Sequence, residues 1–417
     1  MNASIISIGD ELLIGQVINT NASYIAEQLN KIGISIRNII TIGDNQTEII
    51  STFKKSFSEN DLVFVTGGLG PTHDDITKKA VCKFFNTQLV VDDKVNENIK
   101  RILELRNLKW NSAADEQTLV PEGCNIIQNN YGTAAGFLFE RNKKYFIVTP
   151  GVPYEMKGMM SDYLIPFLQS LNIGKQILHR TLKTTGITEA SLAELIGDVN
   201  DLLGKTENLQ STLAFLPAPT GVRLRISITG TNSSSIGTKI VEIENNIRAK
   251  AGKYIYGTDD EELEEVIGKL LTEKGLTISV AESCTGGLIA NRITNVSGSS
   301  KYFERGVVTY SNKSKTELLG VPEELIIKHG AVSEEVAKAM AEGVRKISKT
   351  DIGISTTGIA GPTGGTAEKP VGLVWVGYSD KKETFAQKFH FGDIRLITKI
   401  RASQTAMEIV RNKILNL

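Results

Sequence analysis

Four hydroxyl-rich turns, three of them punctuated by glycine, hold the residues of this 417-residue chain that could do chemistry. The densest is AESCTGG, Ala281 to Gly287, followed by VSGSS at Val296–Ser300, VVTYSNKSK at Val307–Lys315 and STTGIAGPTGG at Ser355–Gly365. A serine hydroxyl becomes a nucleophile only beside a base. No histidine lies within a turn of these loops, so lysine is the expected substitute. Ser283 is therefore read as the nucleophile and Lys315 as its base, with Ser299 and Ser300 as rival nucleophiles or a phosphate cradle. Cys284 lacks a histidine neighbour and reads as a small packed side chain.

The elements around these turns are those of an α/β fold. Leu276–Val280 is an apolar run that reads as a strand, and Leu288–Ile293 resumes with helical spacing. Ser283 and Thr285, with Gly286 and Gly287, then lie at a helix N-terminus, where free backbone N–H groups can hold an anion or an oxyanion. A single turn of this kind is more often a plain cap. Several at the carboxyl ends of strands make one crevice. Gly358 and Gly361, following Thr357, add backbone donors to it.

The N-terminal half repeats the design with different residues. Ala3–Ile8 reads as a strand ending at the carboxylate pair Asp10 and Glu11, which can hold a divalent cation or orient a ribose, or form only a solvated turn. A helix capped within Asn19–Asn21 follows. Asp61–Thr66 is a near-continuous apolar run, as in a buried parallel strand, and leads into GGLGPTHDD from Gly67. Gly67, Gly68 and Gly70 let the backbone approach a phosphate, while Asp74 and Asp75 suit a Mg²⁺ ion bridging phosphates. The GK[ST] ending of a P-loop is missing. The loop Asn129–Phe137, with Gly132 and Thr133, and the turn Pro150–Pro153 add two more polar ends to an open, mainly parallel sheet.

Length implies more than one domain. Lys plus Arg equals Asp plus Glu at 47 each, a balance that argues against a general nucleic-acid binder. No apolar run is long enough to span a bilayer, no secretory signal is expected at the N-terminus, and the three scattered cysteines fit a reducing cytoplasm. Between the outer halves, Gln176–Ile196 reads as a strand and a helix capped at Thr188, Gly221–Thr231 as an exposed-faced strand, and Ile236–Ala251 as a helix. A hinge is expected near Gly252–Gly257, with the acidic stretch Thr258–Val266 opening the next helix.

The set AESCTGG, GSS, VTYSNxxK, HGAVSEE, TTGIAGPTGG and EKPVGLVW resembles the C-terminal domain of the CinA (competence/damage-inducible protein A) family. GDE, GGLGPTxDD and PGVPxE resemble the molybdopterin-binding fold of MoaB, MogA and MoeA, and more closely the N-terminal CinA domain. The resemblance implies an α/β protein with a MoaB/MogA-like three-layer α/β domain at 1–171. A small K-homology-like α+β connector occupies 172–257, and a C-terminal α/β CinA domain 258–417. No GXXG loop joins two helices in the connector, so an RNA role is not expected.

The implied function is pyridine-nucleotide recycling by a cytoplasmic homodimer. Its C-terminal domain would deamidate nicotinamide mononucleotide without a cofactor, and its N-terminal domain would be a metal-dependent ADP-ribose pyrophosphatase. The alternative is a non-catalytic pterin-binding or DNA-uptake accessory protein. For the deamidase, Tyr310 would relay the proton or orient the amide, Thr357 would assist, and Arg401 or Arg395 would pair with the nucleotide phosphate. For the pyrophosphatase, Asp75 leads the metal set, with Asp74, Asp10 and Glu11 in support, beside Asn21 and the glycine turn.

Overall fold

The computed structural model describes residues 1–70, 76–171 and 176–417. It falls into two compact units, one of Met1–Leu178 with Thr206–Gln210 and Ile228–Gly237, the other of His179–Lys205, Ser211–Ser227 and Thr238–Leu417. Most of the connector therefore belongs with the C-terminal sheet.

In the first unit, residues of one strand alternate between two cores. Ile6, Ile8, Val63 and Val65 pack into one with Ile49 and Phe53 of the helix Gln46–Glu59. Ala3, Ile5, Leu62 and Phe64 pack into the other with Ile25 and Leu29 of Thr20–Lys31. A sheet buried on both faces needs helices on both, which makes the unit three-layered. The six strands run in the order Ser35–Ile42, Asn2–Ile8, Leu62–Thr66, Lys144–Thr149, Gly136–Arg141, Asn125–Ile127. The first four are parallel and the last two antiparallel.

The connector sheet has the order Gln210–Ala218, Gly221–Gly230, Gln176–Thr184, Ile255–Thr258. Its helix Glu189–Ile196 starts at Thr188, whose side chain accepts from the Ser191 amide. The expected hinge at Gly252–Gly257 is not a hinge. Gly252–Tyr254 is a 3-10 turn and Ile255–Thr258 a strand paired antiparallel with Gln176–Thr184. That pairing partner lies far back in the chain, so local composition could not reveal it.

The C-terminal sheet runs Phe303–Val308, Ile278–Glu282, Ile352–Gly358, Leu373–Ser379, Thr384–His390. Its first three strands are parallel and its last two antiparallel. Val280 and Ile354 face the helices Leu263–Lys274 and Arg395–Leu415, whereas Ala281 packs toward Val336 and Met340 of Glu334–Ser348. The opening helix is capped by a reciprocal Glu262–Glu265 box. Among the described residues no helix is long and apolar enough to cross a membrane.

Candidate active site

The strand carrying the AESCTGG turn is Ile278–Glu282, two residues later than its apolar run suggested, and all five residues are buried. A carboxylate at its end is costly to bury unless hydrogen-bonded. Glu282 satisfies this by accepting from the amides of Gly287, Ile289 and Ala290 at 2.9–3.1 Å. These are amides of the N-terminus of Leu288–Thr294, so the expectation of a free anion site there is corrected: the protein's own carboxylate fills it. Gly286 and Gly287 only shape this turn, and Thr285 is fully buried with its hydroxyl on Thr356 at 2.7 Å.

What the turn does project is Ser283. The helix Asn312–Leu319, opened by the Ser311–Ser314 capping box, brings Lys315 to it, with Nζ 3.2 Å from Ser283 Oγ. Nζ also donates to the carbonyls of Thr309 at 2.9 Å and Tyr310 at 3.4 Å. Lys315 is 1% exposed, and burial holds its amine below the ordinary lysine value, against a smaller opposing effect of Cys284. A neutral amine has two N–H bonds and one lone pair. A charged Nζ can donate to all three oxygens; in the neutral form, with both N–H bonds on the two carbonyls, the lone pair would face the Ser283 hydroxyl proton. Burial pushes the Cys284 thiol up to about 12, so it stays protonated beside the pair.

The two groups open into a cavity of about 280 Å³. Tyr310, Asn312, Thr357, Gly361, Gly364 and Arg395 line its other sides. Thr357 donates its hydroxyl to the Ala331 carbonyl at 2.8 Å. Arg395 donates to the Gly361 carbonyl at 2.9 Å and to the Tyr310 hydroxyl at 3.1 Å. Among the described residues, the amides of Gly361, Thr363 and Gly364 donate to no protein acceptor, and Gly361 is buried. Its φ of +84° and the Asp393 carbonyl 2.9 Å from where a Cβ would stand require glycine there. These amides are the donors available to an oxyanion, in place of the occupied helix terminus.

Three expected site residues lie elsewhere. Ser299 and Ser300 sit in a 3-10 turn, Ser299–Lys301, outside the cavity lining. Arg401 lines a different cleft and bonds the Phe391 carbonyl. Of the two arginines left open, Arg395 is the one at Ser283. Glu282 and Asn312 were not foreseen; the one sequence signal for Glu282 was a carboxylate ending an apolar strand.

In the N-terminal unit, Asp74 and Asp75 lie outside the described residues, and Gly70 is the last residue before that gap. Asp10 and Asp44 exchange amide-to-carboxylate bonds at 3.1 and 3.2 Å, and Glu11 is exposed beside them. Among the described residues, no group of three or more His, Cys, Asp or Glu could hold a metal. Asn21 donates to Thr66 Oγ1 and to the Gly151 carbonyl, while its Oδ1 and the hydroxyl of Thr77 are buried without partners among the described residues. Gly67 and Gly68 have positive φ, and Thr77 Oγ1 lies 2.2 Å from where a Gly68 Cβ would stand. The Gly132 amide is taken by Asn129 Oδ1 at 3.0 Å, so it is not a free phosphate donor. Thr133 beside it is half-buried.

Residues 4–170 match the family model "Probable molybdopterin binding domain", 179–257 "Damage-inducible protein CinA KH domain", and 260–414 "CinA C-terminal domain". A CinA-like protein of Chloroherpeton thalassium is 46% identical over 99% of each chain. A competence-damage inducible protein of Caldicellulosiruptor saccharolyticus is 44% identical over 100% of each. The crystal structure of competence/damage inducible protein CihA from Agrobacterium tumefaciens is 41% identical over 37% of this chain and 94% of its own, with a TM-score of 0.36. With full-length relatives at this identity, the chain belongs to the CinA family.

Proposed function

We propose that the Ser283 site hydrolyses the carboxamide of nicotinamide mononucleotide to nicotinic acid mononucleotide and ammonia. The observation that carries this is the buried Lys315 amine 3.2 Å from Ser283 Oγ. Lys315 takes the hydroxyl proton as Oγ attacks the carboxamide carbon. The oxyanion formed is met by the amides of the Gly361–Gly364 loop. Lys315 then returns the proton to the leaving nitrogen, ammonia departs, and water repeats the cycle on the acyl ester. Arg395, tied to Tyr310, pairs with the nucleotide phosphate at the cavity mouth. Ammonia release from nicotinamide mononucleotide tests the reading: none above background from folded protein would refute it and favour a non-catalytic accessory role.

For the N-terminal unit we propose hydrolysis of the pyrophosphate of ADP-ribose in the presence of a divalent ion. Two buried polar atoms without partners among the described residues, Asn21 Oδ1 and Thr77 Oγ1, flank the Gly67–Gly68 turn, and buried orphans of this kind suit a polar ligand. Chelation is expected to abolish ADP-ribose cleavage and spare ammonia release. Equal loss of both would contradict the assignment. The family resemblance supports action as a cytoplasmic homodimer, which sedimentation would test.

A further inference from the structure

The helix Arg395–Leu415 borders a second cavity, unused by the proposed chemistry. Arg401, Gln404 and Glu408 recur at intervals of three and four and share one helix face. That face, the strand Thr384–His390 and two connector turns at 185–189 and 217–222 enclose a cleft of about 810 Å³. Its sheet side is aromatic: the rings of Phe389 and Phe391 lie 5.6 Å apart with planes 6° from parallel. Arg401 is exposed and makes its bond to the Phe391 carbonyl. The other cleft cation, Lys413, is held by Glu383 at 2.7 Å, which leaves Arg401 as the one for an anion.

At the opposite end, Glu408 Oε2 accepts the Thr185 hydroxyl at 3.2 Å, and Gln404 donates to the same Thr185 oxygen at 3.3 Å. Burial raises the Glu408 carboxyl above its ordinary value, with Thr185, Arg411 and Asn412 opposing. The Glu408 carboxyl in the cleft lining is an acceptor for an exocyclic amine such as the one on a purine edge. Arg401 and Glu408 are two helical turns apart, roughly 10 Å, comparable with the reach from a nucleobase edge to its 5′-phosphate.

We propose that this cleft is a further nucleotide site, taking an adenosine monophosphate with its base on Phe389 and Phe391, its edge at Glu408 and its phosphate at Arg401. It is separate from the Ser283 cavity and stands whether or not that cavity deamidates. Base stacking on aromatic faces and a charge-assisted bond to guanidinium are the two recognition terms.

The test is photolabelling of the full chain with 2-azidoadenosine 5′-monophosphate and mapping of the labelled peptide. Saturable label on the peptide containing Phe389 and Phe391 is expected, competed by adenosine monophosphate. Arg401→Gln should weaken it about 10-fold or more with an unchanged melting temperature, and Glu408→Leu, which removes the acceptor, should weaken it as well. Label confined to the Ser283 cavity or the N-terminal unit would overturn the proposal. So would no saturable label, or strand label indifferent to Arg401→Gln.

Discussion

Replacing Lys315 with methionine keeps the buried apolar stem and removes the amine. Ser283 loses its base, and the Thr309 and Tyr310 carbonyls lose their donor. A positioned general base contributes roughly 100- to 10,000-fold, so kcat for ammonia release should fall by that range, about 3–5 kcal/mol in barrier. The stability change should be small by comparison. Two carbonyls without a donor cost about 1–3 kcal/mol each, while a desolvated amine is no longer buried. The pH profile is the sharper reading. Because burial holds the Lys315 amine below the ordinary 10.5, kcat/KM in the intact protein should rise with pH through that lowered value and fall on the acid side. Lysine here binds its proton less well folded than unfolded. Stability should therefore also rise with pH between the lowered value and 10.5, and weaken as pH drops through it. Both limbs should vanish in Lys315→Met. A variant that folds and keeps more than about a tenth of the turnover, or one with an unchanged acid limb, would refute the role of Lys315 as base.

Ser283→Ala should lose activity to a similar degree, and the double variant should be little worse than either single one, as single-turnover rates would show. Glu282→Gln leaves one acceptor oxygen for three amides and should lower stability by about 2 kcal/mol or more, read from the denaturant midpoint. Gly361→Ala drives a methyl toward the Asp393 carbonyl and should lower kcat/KM at least tenfold with a smaller effect on melting temperature, provided the loop amides hold the oxyanion. Asn21→Leu should depress ADP-ribose cleavage and leave ammonia release intact; equal loss of both would remove Asn21 from the N-terminal site.

Much of this was legible from local pattern. The all-buried strand Leu62–Thr66 is a continuous apolar run, and the helix capped at Thr188 carries its signal in four residues. Ser283 and Lys315 also stand at the ends of recognisable elements. What sequence could not order was distance across the fold. The GSS turn and AESCTGG look alike as small-residue turns, yet Ser299 and Ser300 do not reach the cavity. Arg395 and Arg401 begin the same helix, but nearly two turns of rotation give them different surroundings. The use of Glu282 was hidden for another reason. A glutamate at a strand end reads as exposed unless one knows that three amides curl back to meet it.

The last helix has a consequence for cutting the protein. Its 21 residues make a continuous rod of about 30 Å, with Arg395 at the cavity mouth and Arg411 near the far end. The buried Arg411 guanidinium donates to the carbonyls of Lys253 and Ile255. A fragment beginning at Asp259 would lose both carbonyl acceptors and leave the guanidinium with Asn412 and Glu408 alone, at the tip of the rod whose base holds Arg395. A fragment beginning ahead of Gly252 would carry both acceptors with it. That longer fragment would still leave the strand Ile255–Thr258 without its partner Gln176–Thr184, so the last helix ties the C-terminal sheet to the connector and the two are best kept together.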